Sequence, residues 1–315
     1  MNKKAIIFGI KGYNLTKKEK RLFKKIKPWG IILFSRNVKN IFQLKILIDD
    51  IKKIFGEKKY PILIDQEGGK VCRLNKIIDL SNFSQSFFGK SYIKEKKLFY
   101  TRYEIYIRSV CEILKEVGIN INTVPVLDIR RKKSHNIIGS RSFSENTTIV
   151  SNLGKLCIDF YENNKIATVM KHIPGHGLSK LDSHYKTPVI NASKKELFKK
   201  DFKPFKKNKS LFAMTAHVIY SKYDSYNTAT HSKIIIKDVI RNHMNFKGIL
   251  MSDDISMKSL KYNLEDNALK ALNAGCNLVL HCNGNIREMS KLIKVIPRID
   301  KFTQKKTSQF YKFLR

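Results

Sequence analysis

Residues 171–184, KHIPGHGLSKLDSH, place three histidines, two lysines and one aspartate within fourteen positions. The ordinary pKa of histidine lies nearest to neutral pH, so such a group suits proton transfer or metal binding. The proline and two glycines of the same stretch break helices and are unfavourable inside a strand. We therefore predict a loop that carries titratable side chains.

Two chemistries compete for this loop. A metal site would use His172, His176 and His184 with Asp182, but the HxxxH spacing needs a helical face, and the intervening Pro-Gly disrupts it. An acid/base site would pair Asp182 with His184, because a neighbouring carboxylate fixes the imidazole tautomer and tunes its pKa. Lys171 and His172 would then bind the substrate. Spacing alone favours the acid/base site and leaves the metal site open.

Three further segments carry candidate groups: LIDQEGGKVCRL at 63–74, NIIGSRSFSEN at 136–146 and GILMSDDISM at 248–257. Asp65 and Arg73 lie in the first, where the Gly-Gly pair would let the backbone approach a ligand. Arg141 in the second could bind a polar or anionic substrate through its planar fork. Asp253 in the third is placed to point into a site.

Each of these segments also has a purely structural interpretation. The first could be a Gly-Gly turn before a surface helix, and Arg141 could be a solvated surface group. Ser252 or Asp254 could cap the N-terminus of a helix. These alternatives fit Asp253 less well, because it follows the apolar strand most closely.

The elements that must position these groups are short apolar runs separated by helical patterns. Continuous apolar strands that alternate with helices predict a parallel sheet, and eight units at 315 residues predict a (β/α)₈ TIM-like barrel. A doubly wound sheet is the alternative, which the lack of a GxGxxG or P-loop motif disfavours. The predicted strands lie at 5–9, 30–34, 60–65, 121–129, 166–172, 210–217, 248–254 and 276–282.

Local signals support the predicted helices. Thr16 and Glu19 form a capping-box pattern, and helices are expected to end at Gly118 and Gly275. Helical patterns cover 152–164, 194–206, 232–244, 264–274 and 286–296, and a C-terminal surface helix is expected at about 300–315. No linker divides the chain, so we expect residues 1–315 to form one catalytic domain. Because barrel active sites lie at the carboxyl ends of the strands, the candidate groups should meet there.

Composition restricts the class of protein. Lys and Arg number 62 against 26 Asp and Glu, a net charge of +36, which could indicate a nucleic-acid or membrane partner. The lysines are spread along the chain, however, and an A/T-rich genome would favour the same residues, so we expect no specific nucleic-acid partner. Five cysteines without a CxxC pair predict reduced thiols. No apolar run could span a bilayer, and the N-terminal one is too short for a signal peptide, so we expect a cytoplasmic protein without membrane contact.

Four motifs, in this order, make the chain resemble the β-N-acetylhexosaminidases of glycoside hydrolase family 3, the NagZ type. They are DQEGGKVCR, IGSRSF, KHIPGHGLSKLDSH and SDDISM, and the resemblance spans roughly residues 5–283. The resemblance implies a (β/α)₈-type barrel and the removal of terminal β-linked N-acetylglucosamine. In bacteria the family's substrate is a cytoplasmic cell-wall fragment, a muropeptide of peptidoglycan recycling.

The resemblance also implies roles for individual residues. Asp253 corresponds to the nucleophile of a retaining mechanism, His184 to the general acid/base and Asp182 to its partner. No metal or other cofactor is implied, and we expect a monomer. Phosphorolysis by the same site is one alternative, and a basic nucleic-acid-binding protein on a decayed barrel is another. The implied sugar-binding residues are Asp65, Arg73, Arg141, Lys171 and His172.

Overall fold

The computed structural model describes residues 2–131, 136–179, 181–183 and 185–315. Eight parallel strands form a closed barrel in the order β1-β2-β3-β4-β5-β7-β9-β10, and Ile7 on β1 lies opposite Leu280 on β10 where the barrel closes. Every predicted strand is present, which confirms the (β/α)₈ architecture. The strands are β1 Lys4–Gly9, β2 Pro28–Leu33, β3 Ile62–Ile64, β4 Ile121–Asn122, β5 Ala167–Ile173, β6 Val189–Ile190, β7 Phe212–Thr215, β8 Ile219–Tyr220, β9 Ile249–Asp254 and β10 Leu278–His281.

The helices surround this barrel, while β6 and β8 pair outside it as a small parallel sheet. A π-helical segment, Ile235–His243, takes the place of the helix predicted at 232–244, and short 3₁₀ turns occupy Ser35–Asn37 and Gly139–Arg141. The α-helices are α1 Lys17–Ile26, α2 Ile41–Phe55, α3 Gln85–Lys94, α4 Lys96–Val117, α5 Thr147–Asn163, α6 Lys194–Lys199, α7 Lys203–Lys207, α8 Leu264–Ala274, α9 Ile286–Val295 and α10 Lys301–Phe313.

The helix boundaries predicted from the capping box and from the two glycines are confirmed, whereas α5 begins after its cap Asn146, five residues before the predicted start. Thr16 and Glu19 form the reciprocal capping box of α1. Gly118 and Gly275 end α4 and α8 with φ of 88° and 118°, in the left-handed region that glycine adopts without steric cost. The single helix predicted at 194–206 is instead two helices, because Pro204 begins a new helical turn at α7.

The barrel core is apolar, and α10 covers its amino-terminal end. Trp29 and Phe212, near the starts of β2 and β7, contact the Phe310 ring of α10 in tilted and edge-to-face arrangements. Trp29 Nε1 donates to Thr307 Oγ1 at 2.8 Å. The C-terminal helix is therefore present as predicted, but one face of it is buried. This packing leaves the carboxyl ends of the strands open for a site.

Two composition-based expectations can be checked on the described residues. All five cysteines lie in the described ranges and none forms a disulfide. Across the same ranges, no helix combines the length and apolar character needed to cross a bilayer.

Candidate active site

A cavity of about 450 Å³ opens at the carboxyl ends of the barrel strands. Six of the eight predicted site residues line it. They come from the ends of four barrel strands or from the loops after them. Asp182 is described but does not line the cavity, whereas its neighbour Ser183 does. His184 lies outside the described residues. The six that line the cavity are Asp65, Arg73, Arg141, Lys171, His172 and Asp253.

Lys171 anchors the base of the cavity through three polar contacts. Its ammonium is 2.9 Å from Thr123 Oγ1, 3.3 Å from Asp65 Oδ1 and 2.6 Å from Glu67 Oε1. An ammonium has three N–H donors, so all of them are engaged. Because the contact to Asp65 is the longest, an acceptor on a bound ligand would most readily take that donor.

Asp65 is ionised despite its burial. Burial favours the neutral acid, but Lys171 and Arg73 together outweigh burial and hold the pKa of Asp65 well below its usual range. Arg73 Nη2 lies 3.3 Å from Asp65 Oδ2 and its guanidinium lies over the Phe34 ring, 5.3 Å from the centroid. Asp65 also accepts from the Thr123 hydroxyl. The carboxylate is thus a fixed acceptor that faces the cavity.

Arg141 is held by Glu67, a residue that the sequence interpretation did not single out. Arg141 Nε and Nη2 lie 2.8 and 2.9 Å from the two oxygens of Glu67, a bidentate pair. Burial would raise the pKa of Glu67, but Arg141 and Lys171 lower it to about 2. The only sequence signal was its position in the DQEGG motif, and its partners lie 74 positions or more away along the chain.

The Gly-Gly turn after Glu67 has a different role from the one predicted. Gly68 and Gly69 have φ of 84° and 62°, and neither lines the cavity. A Cβ on Gly68 would lie 2.3 Å from the Phe83 carbonyl oxygen, and one on Gly69 would lie 2.7 Å from Ser84 Cβ. The glycines therefore permit close packing against residues 83–84, not approach to a ligand, and no surface helix follows the turn.

A buried aspartate orients His172. Asp128 Oδ2 lies 2.6 Å from His172 Nδ1, and Asp128 Oδ1 accepts from the His176 backbone N–H at 2.6 Å. Nδ1 of His172 is therefore the donor, which leaves Nε2 as an acceptor toward Arg141 Nη2 at 3.5 Å. Burial opposes ionisation of Asp128, but His172 overcomes it and lowers the pKa of the carboxyl. Nothing local in the sequence links Asp128 to position 172, which lies 44 positions further along the chain.

Asp253 occupies the end of β9 as predicted, with its carboxylate on the cavity wall. Burial would raise its pKa, but His217, His172 and the Asp254 backbone N–H lower it, the last donating to Oδ1 at 2.7 Å. His217 Nε2 lies 3.0 Å from the Asp254 carbonyl oxygen, so His217 also supports the backbone at this strand end. The result is a half-buried, ionised carboxylate on a fixed backbone.

The helix-capping alternative for the SDD segment is wrong. Asp254 Oδ1 accepts from the backbone N–H of Ser256 and Cys282, and no helix begins there, since α8 starts at Leu264 with Asn263 as its cap. Asp254 therefore ties the loop after β9 to the end of β10. Both Asp253 and Asp254 line the cavity, but the Asp254 carboxylate is engaged by these loop contacts.

The loop after β5 approaches the cavity through His176 and Ser183. His176 Nε2 lies 3.1 Å from Ser183 Oγ, while the Asp182 carbonyl accepts from the backbone N–H of Tyr185 and Lys186. Burial and His172 lower the pKa of His176 to about 4, so it is neutral near pH 7. Within the described ranges no group of three or more His, Cys, Asp or Glu residues could hold a metal ion.

The family model of the glycosyl hydrolase family 3 N terminal domain matches residues 4–309 of the chain. The chain belongs to glycoside hydrolase family 3. A β-hexosaminidase of Psychromonas ingrahamii is 34% identical over 305 residues, which is 93% of this chain and 88% of that protein. One of Haemophilus influenzae is 35% identical over 287 residues, 89% of this chain and 79% of that protein.

The solved structure of NagZ from Neisseria gonorrhoeae in complex with N-trifluoroacetyl-D-glucosamine superposes with a TM-score of 0.88. It is 28% identical and covers 100% of this chain and 91% of its own. These findings confirm the predicted family, the barrel and the enzyme class, a glycoside hydrolase of the β-hexosaminidase type.

Proposed function

We propose that this family 3 glycosidase releases terminal β-linked N-acetylglucosamine by a retaining, two-step displacement. The observation that carries the proposal is Asp253, an ionised carboxylate on the wall of the barrel cavity, fixed by the backbone N–H of Asp254. A retaining glycosidase needs such a carboxylate to attack the anomeric carbon.

In the first step Asp253 forms an ester with the anomeric carbon, and the bond to the leaving oxygen breaks as that oxygen takes a proton from His184. In the second step His184 takes a proton from water, and the water oxygen displaces Asp253 from the sugar. Asp182 supports the imidazolium that forms between transfers. The assignment of His184 and Asp182 rests on their place in the DSH motif and on the approach of Ser183 to the cavity.

The sugar would be held by Asp65, Arg73, Arg141, Lys171 and His172. Asp65 and His172 Nε2 offer acceptors to hydroxyl groups, and the three cationic side chains offer donors. All five line the same cavity as Asp253. Buried, hydrogen-bonded groups of this kind reject a ligand that leaves them unpaired, which gives specificity for a polar sugar.

The natural substrate that we propose is a small cell-wall fragment that ends in N-acetylglucosamine, hydrolysed in the cytoplasm by a monomeric protein whose residues 1–315 act as one catalytic domain. The sequence resemblance supports the substrate. The cavity, open at one end of the barrel, suits the terminal residue of a short carbohydrate.

Hydrolysis of 4-nitrophenyl N-acetyl-β-glucosaminide tests the proposal, with the anomer of the first-formed product read by NMR. We expect turnover and an initial β-anomer. Absence of turnover with a folded protein, or an initial α-anomer, would contradict the proposed activity or its stereochemistry. Asp253→Ala serves as the matched inactive control.

Phosphorolysis is the second candidate. The proposed acid/base is a histidine, and a neutral imidazole tolerates an anionic acceptor better than a carboxylate would. Exposed Lys70 on the cavity wall could attract the phosphate. Formation of N-acetylglucosamine 1-phosphate in phosphate buffer would identify phosphorolysis, whereas free sugar as the sole product would identify hydrolysis.

A further inference from the structure

We infer that Glu67 is a positioning residue for the reaction, which acts by holding Lys171 and Arg141, two of the proposed sugar ligands, with one carboxylate. The inference rests on the proposed function of the site. It adds a residue that the sequence interpretation did not assign and that reaches the substrate through other side chains.

The geometry makes Glu67 the shared partner of both cations. Its Oε1 lies 2.6 Å from Lys171 Nζ and 2.9 Å from Arg141 Nη2, and its Oε2 lies 2.8 Å from Arg141 Nε. The Glu67 side chain is 1% exposed, Lys171 3% and Arg141 13%. At that burial the three charges are poorly screened by water, so each depends on the others.

The backbone around Glu67 prevents it from following a displaced partner. Its N–H donates to the Val71 carbonyl at 3.0 Å, and the turn at Gly68 packs directly against the Phe83 carbonyl. Glu67 is thus a fixed reference point between β3 and the loop that carries Arg141. Lys171 and Arg141 are long, flexible side chains that gain a single geometry from this contact.

Removal of the Glu67 charge would also affect the nucleophile. Lys171 is near enough to Asp253 for the two charges to interact. Without Glu67, the ammonium would turn toward the remaining carboxylates, Asp65 and Asp253. A stronger contact with Asp65 would occupy an acceptor proposed to bind the sugar, which would weaken binding. A stronger contact with Asp253 would reduce its nucleophilicity, which would slow turnover.

Glu67→Gln tests the inference, because it keeps the shape but replaces an acceptor with an amide that also donates. With the nitrophenyl glucosaminide we expect kcat/KM to fall at least about 10-fold, shared between a higher KM and a lower kcat. The inhibition constant for N-acetylglucosamine should rise in parallel. Glu67→Asp, which keeps the charge, should lose less than Glu67→Gln.

Glu19→Gln is the matched control. Glu19 is also buried, but all of its hydrogen-bond partners are neutral groups of Lys11 and Thr16, and it does not line the cavity. We expect its kcat/KM to stay within about two-fold of wild type. Equal losses in Glu19→Gln and Glu67→Gln would assign Glu67 a merely structural role.

A double-mutant cycle with Lys171→Met separates positioning from stability. If Glu67 acts through Lys171, the combined loss in kcat/KM should be smaller than the product of the single losses by at least about 5-fold. The inference would be overturned if the losses in kcat/KM simply multiply. It would also be overturned if Glu67→Asp loses as much kcat/KM as Glu67→Gln. Wild-type turnover is measured first, so failure of the proposed function appears there, before any Glu67 variant is compared.

Discussion

Two buried carboxylate–arginine pairs lie near the cavity, and burial has opposite outcomes for them. Glu67 pairs with Arg141 and also with Lys171, and its pKa is lowered to about 2. Asp201 pairs with Arg131, but there burial prevails over the arginine and raises the pKa of Asp201 to about 6. A second buried cation is the difference that keeps Glu67 ionised.

The two pairs support different parts of the site. Glu67 belongs to the cavity floor, which we define as Asp65, Glu67, Arg141 and Lys171. Asp201 packs beneath the loop after β5, since a Cβ on Gly175 would lie 3.0 Å from the Asp201 carbonyl oxygen. On the loop itself, the pKa of His176 is lowered to about 4 by burial and by His172.

This contrast suggests that the cavity floor and the loop after β5 have different tasks. The proposed task of the floor is to bind the sugar with charges that stay fixed at any working pH. The loop lies on groups for which burial disfavours charge, and its proposed task is proton transfer through His184. Variants can show whether binding and proton transfer are separable in this way.

The largest expected effect belongs to neither region. Asp253→Ala should lower kcat by at least about 10³-fold with every substrate, because it removes the atom that bonds to the sugar. The barrel should stay folded, since Asp253 lies at the rim. Steady-state rates and thermal unfolding of the same preparation provide the measurement.

Asp254→Asn sharpens this test with the adjacent carboxylate. Its contacts to Ser256 and the Cys282 N–H are structural, so its loss should be far smaller than that of Asp253→Ala. A near-normal kcat for Asp253→Ala would contradict the assignment of Asp253 as the nucleophile. An equal loss of kcat in Asp254→Asn would contradict it as well.

His184→Ala should reveal the loop's role through the leaving group. A nitrophenolate leaves with little protonation, so that substrate should lose little in the first step. A sugar alkoxide needs the proton, so disaccharide hydrolysis should fall by about 10²- to 10⁴-fold. Asp182→Asn should give a milder form of the same contrast. Equal losses on both substrates, or activity restored by zinc, would show that the loop is not an acid/base element.

The fold was predictable because each barrel strand is a contiguous apolar run, buried on both sides, and such runs are visible in a single sequence. The errors concern individual helices. Helix α3 (85–94) was not predicted, and the break between α6 and α7 was missed although Pro204 marks it. These elements are short and amphipathic signals in them are weak.

The site was predictable where a group lies at the end of a strand or directly after it. Asp65 follows β3, while Lys171, His172 and Asp253 are among the last residues of β5 and β9. Parallel strands bring their carboxyl ends to one rim. Glu67 and Asp128 were missed as partners because their contacts are long-range. Glu67 contacts Arg141 and Lys171, and Asp128 contacts His172. No regular spacing along the chain indicates these pairs.

Substitutions on the floor should weaken sugar binding without discriminating between leaving groups. Asp65→Ala or Arg141→Ala would leave sugar hydroxyl groups and buried partners unsatisfied, which costs about 1–3 kcal/mol. The KM and the inhibition constant for N-acetylglucosamine should rise for nitrophenyl and disaccharide substrates alike. If both kinetic constants of both variants match wild type, these residues do not belong to the site. A leaving-group contrast like that of His184→Ala would instead break the division between floor and loop.

The smallest effect is a pH dependence of stability confined to the loop. Between pH 4 and 6 the folded state holds a proton on Asp201 that the unfolded chain has lost, because the folded pKa is about 6 against an ordinary 3.8. That contribution is present below about pH 4 and is lost as pH rises through 6. His176 acts in the opposite sense, since its folded pKa is about 4 against 6.5. Its contribution is present above pH 6.5 and is lost as pH falls toward 4.

Because the two slopes oppose each other, single substitutions should expose them. On acidification from pH 6.5 to 4, the free energy of unfolding of Asp201→Asn should fall more steeply than that of wild type, and that of His176→Gln less steeply, each by on the order of 1–3 kcal/mol. Urea unfolding across this range measures both, and the double variant should return toward the wild-type slope. The free energy of unfolding of Glu67→Gln should run parallel to that of wild type above about pH 5. The contribution of Glu67 is lost only as pH falls from its ordinary pKa of 4.5 toward the folded value of about 2. Changes of the same sign in Asp201→Asn and His176→Gln, or a Glu67→Gln slope as altered as theirs, would mean that the floor and the loop respond to protons alike.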